Sequence, residues 1–177
     1  PGLGQSPSPN LFVFPYDWRL DNQKAAEALK EYVRLALEMH PDADGIDLVG
    51  HSNGGLVSRA YLLMPGQRAR VKRLITVGTP WLGSPKPLSG LKSGNLDDMA
   101  ISALAPIPAV RKMLQFSPGA HQLLPSREYF ELGFRPLVED GYDSNTNGLP
   151  NEAFDFDGFQ EVIARHFLRG PAEELLN

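Results

Sequence analysis

The chain has 177 residues, a formal net charge of −4 at pH 7, 42% hydrophobic residues, 21% charged residues and no cysteine. This length fits one domain with a sizeable core, and the hydrophobic fraction excludes wholesale disorder. The mild acidity argues against a nucleic-acid-binding protein, and the lack of cysteine excludes disulfides, a thiolate nucleophile and a cysteine-based zinc site. We therefore expect a globular domain that binds no nucleic acid and carries no metal or cofactor.

The sequence contains no apolar run near the ~18 residues that a membrane span needs, and no signal-peptide pattern. It begins at Pro1 rather than Met. We therefore expect a fragment of a longer chain, whose compartment the composition leaves open.

An amphipathic pattern over residues 23–39 predicts the first helix. Apolar residues recur there every three or four positions, which gives one buried stripe. Asp21 or Asn22 is expected to cap its N-terminus, and Pro41 and Gly45 follow its end.

Strand and helix patterns alternate through the first half of the chain. Short apolar, β-prone runs predict strands over residues 11–14, 46–49 and 73–77, the first of them buried on both faces. A second helix is predicted over residues 56–64. Alternation of this kind predicts an α/β fold, a parallel sheet with right-handed crossovers and helices on its faces.

The pattern loosens after Pro85, where glycine and proline interrupt the apolar runs. The predicted features here are helices at 97–104, 110–116 and 159–168, a turn at 117–120, a weak strand at 137–138, a polar turn at 140–148 and a helix start at 172.

The run Gly50-His51-Ser52-Asn53-Gly54 matches G-x-S-x-G and lies between a predicted buried strand and a helix. That is the position of a nucleophile elbow, which holds a serine hydroxyl at the carboxyl edge of a sheet. The turn strains the serine backbone, and the flanking glycines are expected because a Cβ there would collide with the strand and helix. Ser52 is the candidate nucleophile, and the Asn53 backbone N–H is a candidate oxyanion donor at the helix N-terminus. The alternative is an ordinary glycine-rich turn with a capping serine.

Four motifs in order carry a family resemblance: FPYDWR from Phe14, GHSNGG from Gly50, VGTPWLGSPK from Val77 and HQLLPS from His121. Together they resemble the lecithin:cholesterol acyltransferase-like family of α/β-hydrolases, most of all its bacterial lipase-like and phospholipid-acyltransferase-like members. The resemblance implies a single α/β-hydrolase domain. Its parts would be the core over residues 11–86, a helical cap over 87–130 and a truncated tail over 131–177.

The resemblance also implies an acyl-enzyme mechanism on lipid esters. Ser52 matches the family nucleophile, Asn53 matches the elbow oxyanion donor, and Tyr16, Trp81 and Leu82 are expected to line the substrate pocket. For Trp81, packing beneath the next loop is an equal alternative. A bond that pins this loop, either from Asp17 to Arg19 or from Arg19 to the backbone, is favoured over a catalytic role for these residues.

The sequence departs from the complete family pattern in its catalytic partners. The second oxyanion donor would come from upstream of Leu11, and the triad Asp and His are expected beyond residue 177. A triad within the chain, Ser52 with Asp140 or Asp143 and His166, has the correct order. It is disfavoured because His166 lies in a predicted helix. The chain alone is therefore expected to be weakly active or inactive.

The expected partner is a lipid ester, whether phospholipid, acylglycerol or sterol ester, with transient contact with a lipid surface. Two other functions stay open, an amidase or peptidase with the same elbow and a non-catalytic lipid-binding domain. Residues 143–148 resemble the start of a calcium loop, but Phe154 stands where the bidentate Glu belongs, so a polar turn is favoured. The basic residues at 68–73 are interpreted as a solvated loop.

Overall fold

The computed structural model describes residues 10–94, 106–134 and 156–166. The chain divides into two compact units, Pro1–Trp81 and Leu82–Asn177. The first unit contains α1 (Asn22–Met39), β1 (Ile46–His51), α2 (Asn53–Leu63), a 3-10 turn (Arg68–Arg70) and β2 (Val71–Val77). The second contains α3 (Lys86–Ser93), α4 (Ile107–Gln115), α5 (Pro118–His121), α6 (Arg127–Glu131) and α7 (Phe156–His166).

Helix α1 forms where the amphipathic pattern predicts it. The side chain of Asp21 accepts a hydrogen bond from the Gln23 backbone N–H at 2.6 Å, so Asp21 is the N-cap and Asn22 is the first helical residue. The predicted stripe is buried at Ala25, Leu29, Tyr32 and Ala36, but its last member, Met39, is 60% exposed. The core that α1 and α2 share consists of Ala25, Ala26, Leu29, Val33, Val57 and Tyr61.

Strands β1 and β2 pair in parallel, as the alternation predicts, and in the described ranges they form a two-stranded sheet. The register aligns Val49 with Ile75 and His51 with Val77. Leu48 and Ile46 pack against the core of α1 and α2. On the other face Val49, Ile75 and Val77 are 71%, 47% and 53% exposed. The described helices of this unit therefore cover one face of the sheet, whereas helices on both were predicted.

The predicted strand at residues 11–14 is wrong. Leu11 makes an isolated bridge, and the next three residues have no strand geometry. Leu11 and Val13 are 53% and 60% exposed, so the segment is not buried on both faces. Phe14 instead packs against Tyr32 of α1, and their ring centroids are 5.3 Å apart. An apolar run reports a tendency to be buried, but a strand also needs a neighbour for its backbone hydrogen bonds.

Helix α2 begins at Asn53 rather than at the predicted residue 56, because Gly54 and Gly55 lie in its first turn. Glycine disfavours a helix interior by about 1 kcal/mol relative to alanine, which is why the pattern predicted a later start. The two strands are likewise longer than predicted, by two residues each.

In the second unit, two sequence motifs meet through their backbones. The Ser84 N–H donates to the Leu123 carbonyl at 2.8 Å, and the Ser126 N–H donates to the Leu82 carbonyl at 2.9 Å. Gly83, at φ +87°, lies so close to the Leu124 backbone that a Cβ on Gly83 would be 2.1 Å from the Leu124 carbonyl oxygen. Within the second unit, the Leu82–Ser84 part of VGTPWLGSPK and the HQLLPS motif therefore form one local structure.

The helix predicted at 110–116 is present as α4, which begins earlier because prolines occupy its start, where the missing N–H costs nothing. The predicted turn at 117–120 is wrong, since Pro118–His121 forms the short helix α5. The helix predicted from residue 159 begins at Phe156. Helices α3 and α6 were not predicted. The features predicted at 97–104, 137–138, 140–148 and from 172 lie outside the described residues.

The sequence predicts no membrane-spanning helix. Within residues 10–94, 106–134 and 156–166, none of the helices combines the length and apolar character that crossing a bilayer requires.

Candidate functional site

Ser52 lies between the end of β1 and the start of α2, with φ +51° and ψ −125°. In the part of the chain that the structure describes, it is the one residue other than glycine with positive φ. Such a backbone costs on the order of 1–3 kcal/mol and persists where the surroundings enforce it. We refer to residues 50–55 as the Ser52 turn.

Backbone hydrogen bonds hold Ser52 on both sides. Its N–H donates to the Val77 carbonyl at 2.8 Å, which extends the sheet pairing by one residue beyond β1. Its carbonyl accepts from the Gly55 N–H at 3.1 Å, which begins the first turn of α2. The serine thus belongs to the strand through its N–H and to the helix through its carbonyl, and this forces the sharp bend.

Two glycines of the Ser52 turn are required by close packing. A Cβ on Gly50 would be 2.7 Å from the Gly55 backbone N, and a Cβ on Gly55 would be 2.0 Å from the Thr79 Oγ1. The Gly54 position is open, because its nearest neighbour is the Tyr16 hydroxyl at 3.9 Å. The expectation that a Cβ collides at the motif glycines therefore holds for Gly50 but not for Gly54, and Gly55 outside the motif takes the tight position.

The Ser52 turn presents polar groups that have no hydrogen-bond partner among the described residues. In the described ranges, the Ser52 hydroxyl has no hydrogen-bond partner and the side chain is partly exposed. The Asn53 and Gly54 N–H groups, at the first positions of α2, have no backbone acceptor there either. Free N–H groups at a helix N-terminus carry partial positive charge and favour an anionic oxygen.

The Asn53 side chain is buried and paired with Asn22, a residue that sequence reasoning considered only as a helix cap. Asn53 Nδ2 donates to Asn22 Oδ1 at 2.9 Å, and Asn22 Nδ2 donates to Asn53 Oδ1 at 3.2 Å. The Tyr16 hydroxyl accepts a further bond from Asn53 Nδ2 at 3.3 Å. The two asparagines are 31 positions apart, so no local pattern could reveal this contact.

Tyr16 therefore lies beside the Ser52 turn. Burial raises the pKa of its hydroxyl, and the hydrogen bond from Asn53 opposes that rise in part. Tyr16 also lines a groove of about 660 Å³ between residues 10–16, α1 and β1, whose other walls include Leu29, Val33 and Val57.

Trp81 and Leu82 follow the Gly78-Thr79-Pro80 segment at the end of β2. Trp81 is 43% exposed, and Leu82 is half-buried and begins the second unit. Their role in a pocket stays a prediction, as does that of Tyr16.

Asp17 and Arg19 form the loop-pinning pair that the sequence favoured. Arg19 Nε and Nη2 donate to Asp17 Oδ1 and Oδ2 at 2.8 and 2.6 Å, and the Arg19 backbone N–H donates to Asp17 Oδ1 at 3.0 Å. These hydrogen bonds lower the pKa of the Asp17 carboxyl. Both carboxylate oxygens of Asp17 are bonded to Arg19, which agrees with a structural role.

The structure brings no histidine into hydrogen-bond contact with the Ser52 hydroxyl within the described ranges. His121 is buried, which lowers its pKa, and its Nε2 lies 3.4 Å from the Gln115 carbonyl oxygen. Asp140 and Asp143, considered for a triad within the chain, lie outside the described residues, and the side chain of His166 is not described. Among the described residues, no group of three or more acidic or histidine side chains is placed to hold a metal ion.

Comparison with known proteins finds similarity to acyltransferases. Phosphatidylcholine-sterol acyltransferase of Gallus gallus is 32% identical over 108 residues, 59% of this chain and 26% of that protein. The protein of the same name from Homo sapiens is 32% identical over 117 residues, 64% of this chain and 26% of that protein. The chain thus spans about a quarter of the length of these relatives.

A solved structure and a family model extend this likeness. A chain in the crystal structure of the Tle4–Tli4 complex superposes with a TM-score of 0.54 and 27% identity, over 64% of this chain and 24% of that one. The model of the lecithin:cholesterol acyltransferase family matches residues 2–153, beyond the last of the four sequence motifs. The match covers most of the sequence, and the chain belongs to the lecithin:cholesterol acyltransferase family.

Proposed function

We propose that the Ser52 turn is the nucleophile elbow of an α/β-hydrolase and that Ser52 forms an acyl-enzyme with a lipid ester. The observation that carries the proposal is the positive φ of Ser52 between a parallel strand and a helix. Among the described residues, its hydroxyl is unbonded and lies beside N–H groups that have no backbone acceptor. Membership of the lecithin:cholesterol acyltransferase family supports the reaction class.

The proposed reaction begins when the Ser52 Oγ attacks the ester carbonyl carbon and gives up its proton to a base. The carbonyl oxygen becomes negative and accepts a hydrogen bond from the Asn53 N–H, a contact that forms at the free end of α2. Loss of one such donor typically costs about 2.7–4 kcal/mol of transition-state stabilisation. The ester C–O bond then breaks, and the alcohol leaves with a proton.

The acyl group on Ser52 next passes to water, which is hydrolysis, or to an alcohol, which is acyl transfer. Both outcomes share the same intermediate, so the Ser52 turn serves a lipase and an acyltransferase equally. The relatives named phosphatidylcholine-sterol acyltransferase favour transfer between lipids. We propose a phospholipid, acylglycerol or sterol ester as the substrate and Tyr16, Trp81 and Leu82 as its pocket residues.

The proposed acyl-enzyme takes its base from a part of the protein other than the described residues. Removal of a triad member leaves only the modest catalysis of the oxyanion hole and binding. The rate of the isolated chain is therefore expected to be far below that of a protein with a complete triad.

A fluorophosphonate probe tests the proposal, because it forms a covalent bond only with an activated serine. We expect labelling at Ser52 in the full-length protein, which supplies the base, located by mass spectrometry of tryptic peptides, and none in Ser52→Ala of that protein. Ser84→Ala removes a hydroxyl in the second unit and is expected to keep the label.

Labelling that survives in Ser52→Ala would contradict the assignment of the nucleophile. No labelling of the full-length wild-type protein would favour a non-catalytic lipid-binding domain. Parallel assays with short ester and amide substrates would separate an esterase from an amidase or peptidase.

A further inference from the structure

We infer that Asn22 is a positioning residue, which holds Asn53 through a reciprocal amide pair so that the Asn53 backbone N–H points to the oxygen of the bound ester. The inference rests on the proposed function of the Ser52 turn. It assigns a role at the Ser52 turn to a residue that lies 30 positions earlier in the chain, in α1 rather than α2.

The pair uses the hydrogen-bonding capacity of the Asn53 side chain almost completely. Its amide nitrogen donates to Asn22 Oδ1 at 2.9 Å and to the Tyr16 hydroxyl at 3.3 Å, and its oxygen accepts from Asn22 Nδ2 at 3.2 Å. Asparagine has two donors and one carbonyl oxygen, so this arrangement fixes the orientation of the amide plane.

Burial makes the pair more than a surface contact. Asn22 is 8% exposed and Asn53 is 7% exposed. A buried amide that loses its partner pays a desolvation penalty, so each asparagine favours the conformation that keeps the other bonded. Water is largely excluded and cannot replace the lost partner at no cost.

The position of each asparagine on its helix transmits this constraint to the Ser52 turn. Asn22 is the first residue of α1 and Asn53 is the first residue of α2. The side chain of Asn53 is therefore anchored one bond from the backbone whose N–H is free for the oxyanion. Helix α1 is itself fixed by its Asp21 cap and its buried stripe.

Loss of Asn22 would leave the Asn53 amide free to turn toward solvent or a nearby backbone group. A displacement of about 1 Å at a catalytic group can cost up to 10²-fold in rate. Because Tyr16 still holds one Asn53 donor, we expect a smaller effect, a loss of about tenfold in the rate of covalent modification.

The experiment measures the rate of Ser52 modification by a fluorophosphonate across a concentration series, in the full-length protein that supplies the base. Asn22→Ala is expected to lower the limiting rate about tenfold and to leave the half-saturating probe concentration nearly unchanged. Asn22→Ser, which a first helical position tolerates, also breaks the pair and is expected to act in the same direction. Gln23→Ala, an exposed neighbour on α1, is the matched control and is expected to keep the wild-type rate.

The outcomes separate this inference from the proposed function. A wild-type limiting rate in both folded Asn22 variants overturns the positioning role and leaves Ser52 as the nucleophile. A change confined to thermal stability, or to the half-saturating concentration, also overturns it. Failure of the full-length wild-type protein to react contradicts the proposed function, and the positioning role is rejected with it.

Discussion

At the scale of single residues, the tightest constraint on the Ser52 turn comes from Gly55. A Cβ at this position would lie 2.0 Å from Thr79 Oγ1 and 2.6 Å from Thr79 Cγ2, well inside van der Waals contact. Thr79 is partly buried and its Oγ1 is enclosed, so it cannot simply move into solvent. The end of β2 and the start of α2 are therefore in contact because residue 55 lacks a side chain.

Gly55→Ala and Gly54→Ala make a matched pair that tests this constraint. Gly55→Ala is expected to destabilise the chain by about 1–3 kcal/mol, because a methyl group must enter a filled space. Gly54→Ala is expected to be neutral or stabilising by up to about 1 kcal/mol, because alanine is the better helix former and the space is open. The measurement is the free energy of unfolding in urea. Equal destabilisation by the two variants would contradict the packing described for the Ser52 turn.

At the scale of elements, β1 is bonded on one edge and exposed on the other. Backbone groups along a parallel strand point alternately to its two sides. The Ser52 N–H bonds to β2, so Gly50 and Leu48 face β2 as well. Val49 and His51 then direct their N–H groups to the opposite edge, toward the 660 Å³ groove. In the described residues that edge has no strand beside it.

Amide hydrogen exchange should reveal this alternation. The N–H groups of Leu48, Gly50 and Ser52 are expected to exchange slowly, because each is bonded to β2, and those of Val49 and His51 to exchange much faster. Exchange rates of the individual amides, measured by NMR, provide the test. Strong protection at Val49 would contradict the prediction and would mean that another strand pairs with this edge.

At the scale of the whole molecule, acid is expected to act on the two units through different titratable groups. In the second unit, burial lowers the pKa of His121 below the ordinary 6.5. In the first unit, hydrogen bonds from Arg19, Lys72 and Arg73 lower the pKa values of their carboxylate partners below the ordinary 3.8; the partners are Asp17, Asp44 and Asp47. These ion pairs are exposed to solvent, so each is expected to contribute little to the free energy of unfolding.

The sign of the pH dependence follows from proton binding. The unfolded chain binds a proton at residue 121 at higher pH than the folded chain does, so the free energy of unfolding decreases as pH falls from about 6.5 toward the lower folded pKa. The exposed ion pairs act in the same direction at lower pH, below about 4. His121→Gln is expected to remove the loss of stability between pH 7 and 5. Urea denaturation over this range provides the measurement, and an unchanged pH profile in the variant would contradict the prediction.

Local sequence determined much of the first unit because its signals are short in range. Residues that are close in sequence set the spacing of apolar residues in α1 and the Asp21 cap. They also set the alternation of strand and helix patterns from which parallel pairing of β1 and β2 was predicted. The G-x-S-x-G run likewise placed Ser52 at a strand-to-helix bend, since the order of glycine, serine and flanking apolar residues encodes that bend.

Only the tertiary structure decided the features that depend on distant partners. The apolar run at residues 11–14 has strand composition, but strand geometry requires a neighbouring backbone, which sequence does not specify. The space at Gly54 and its absence at Gly55 depend on Tyr16 and Thr79, and the Asn22–Asn53 pair joins residues 31 positions apart. The sequence by itself thus determined the local bend that exposes Ser52. The packing that orients the groups around Ser52 depends on the tertiary structure. Hydrogen bonds and steric contacts between residues that are distant in sequence produce no periodic sequence pattern, so they could not be predicted from it.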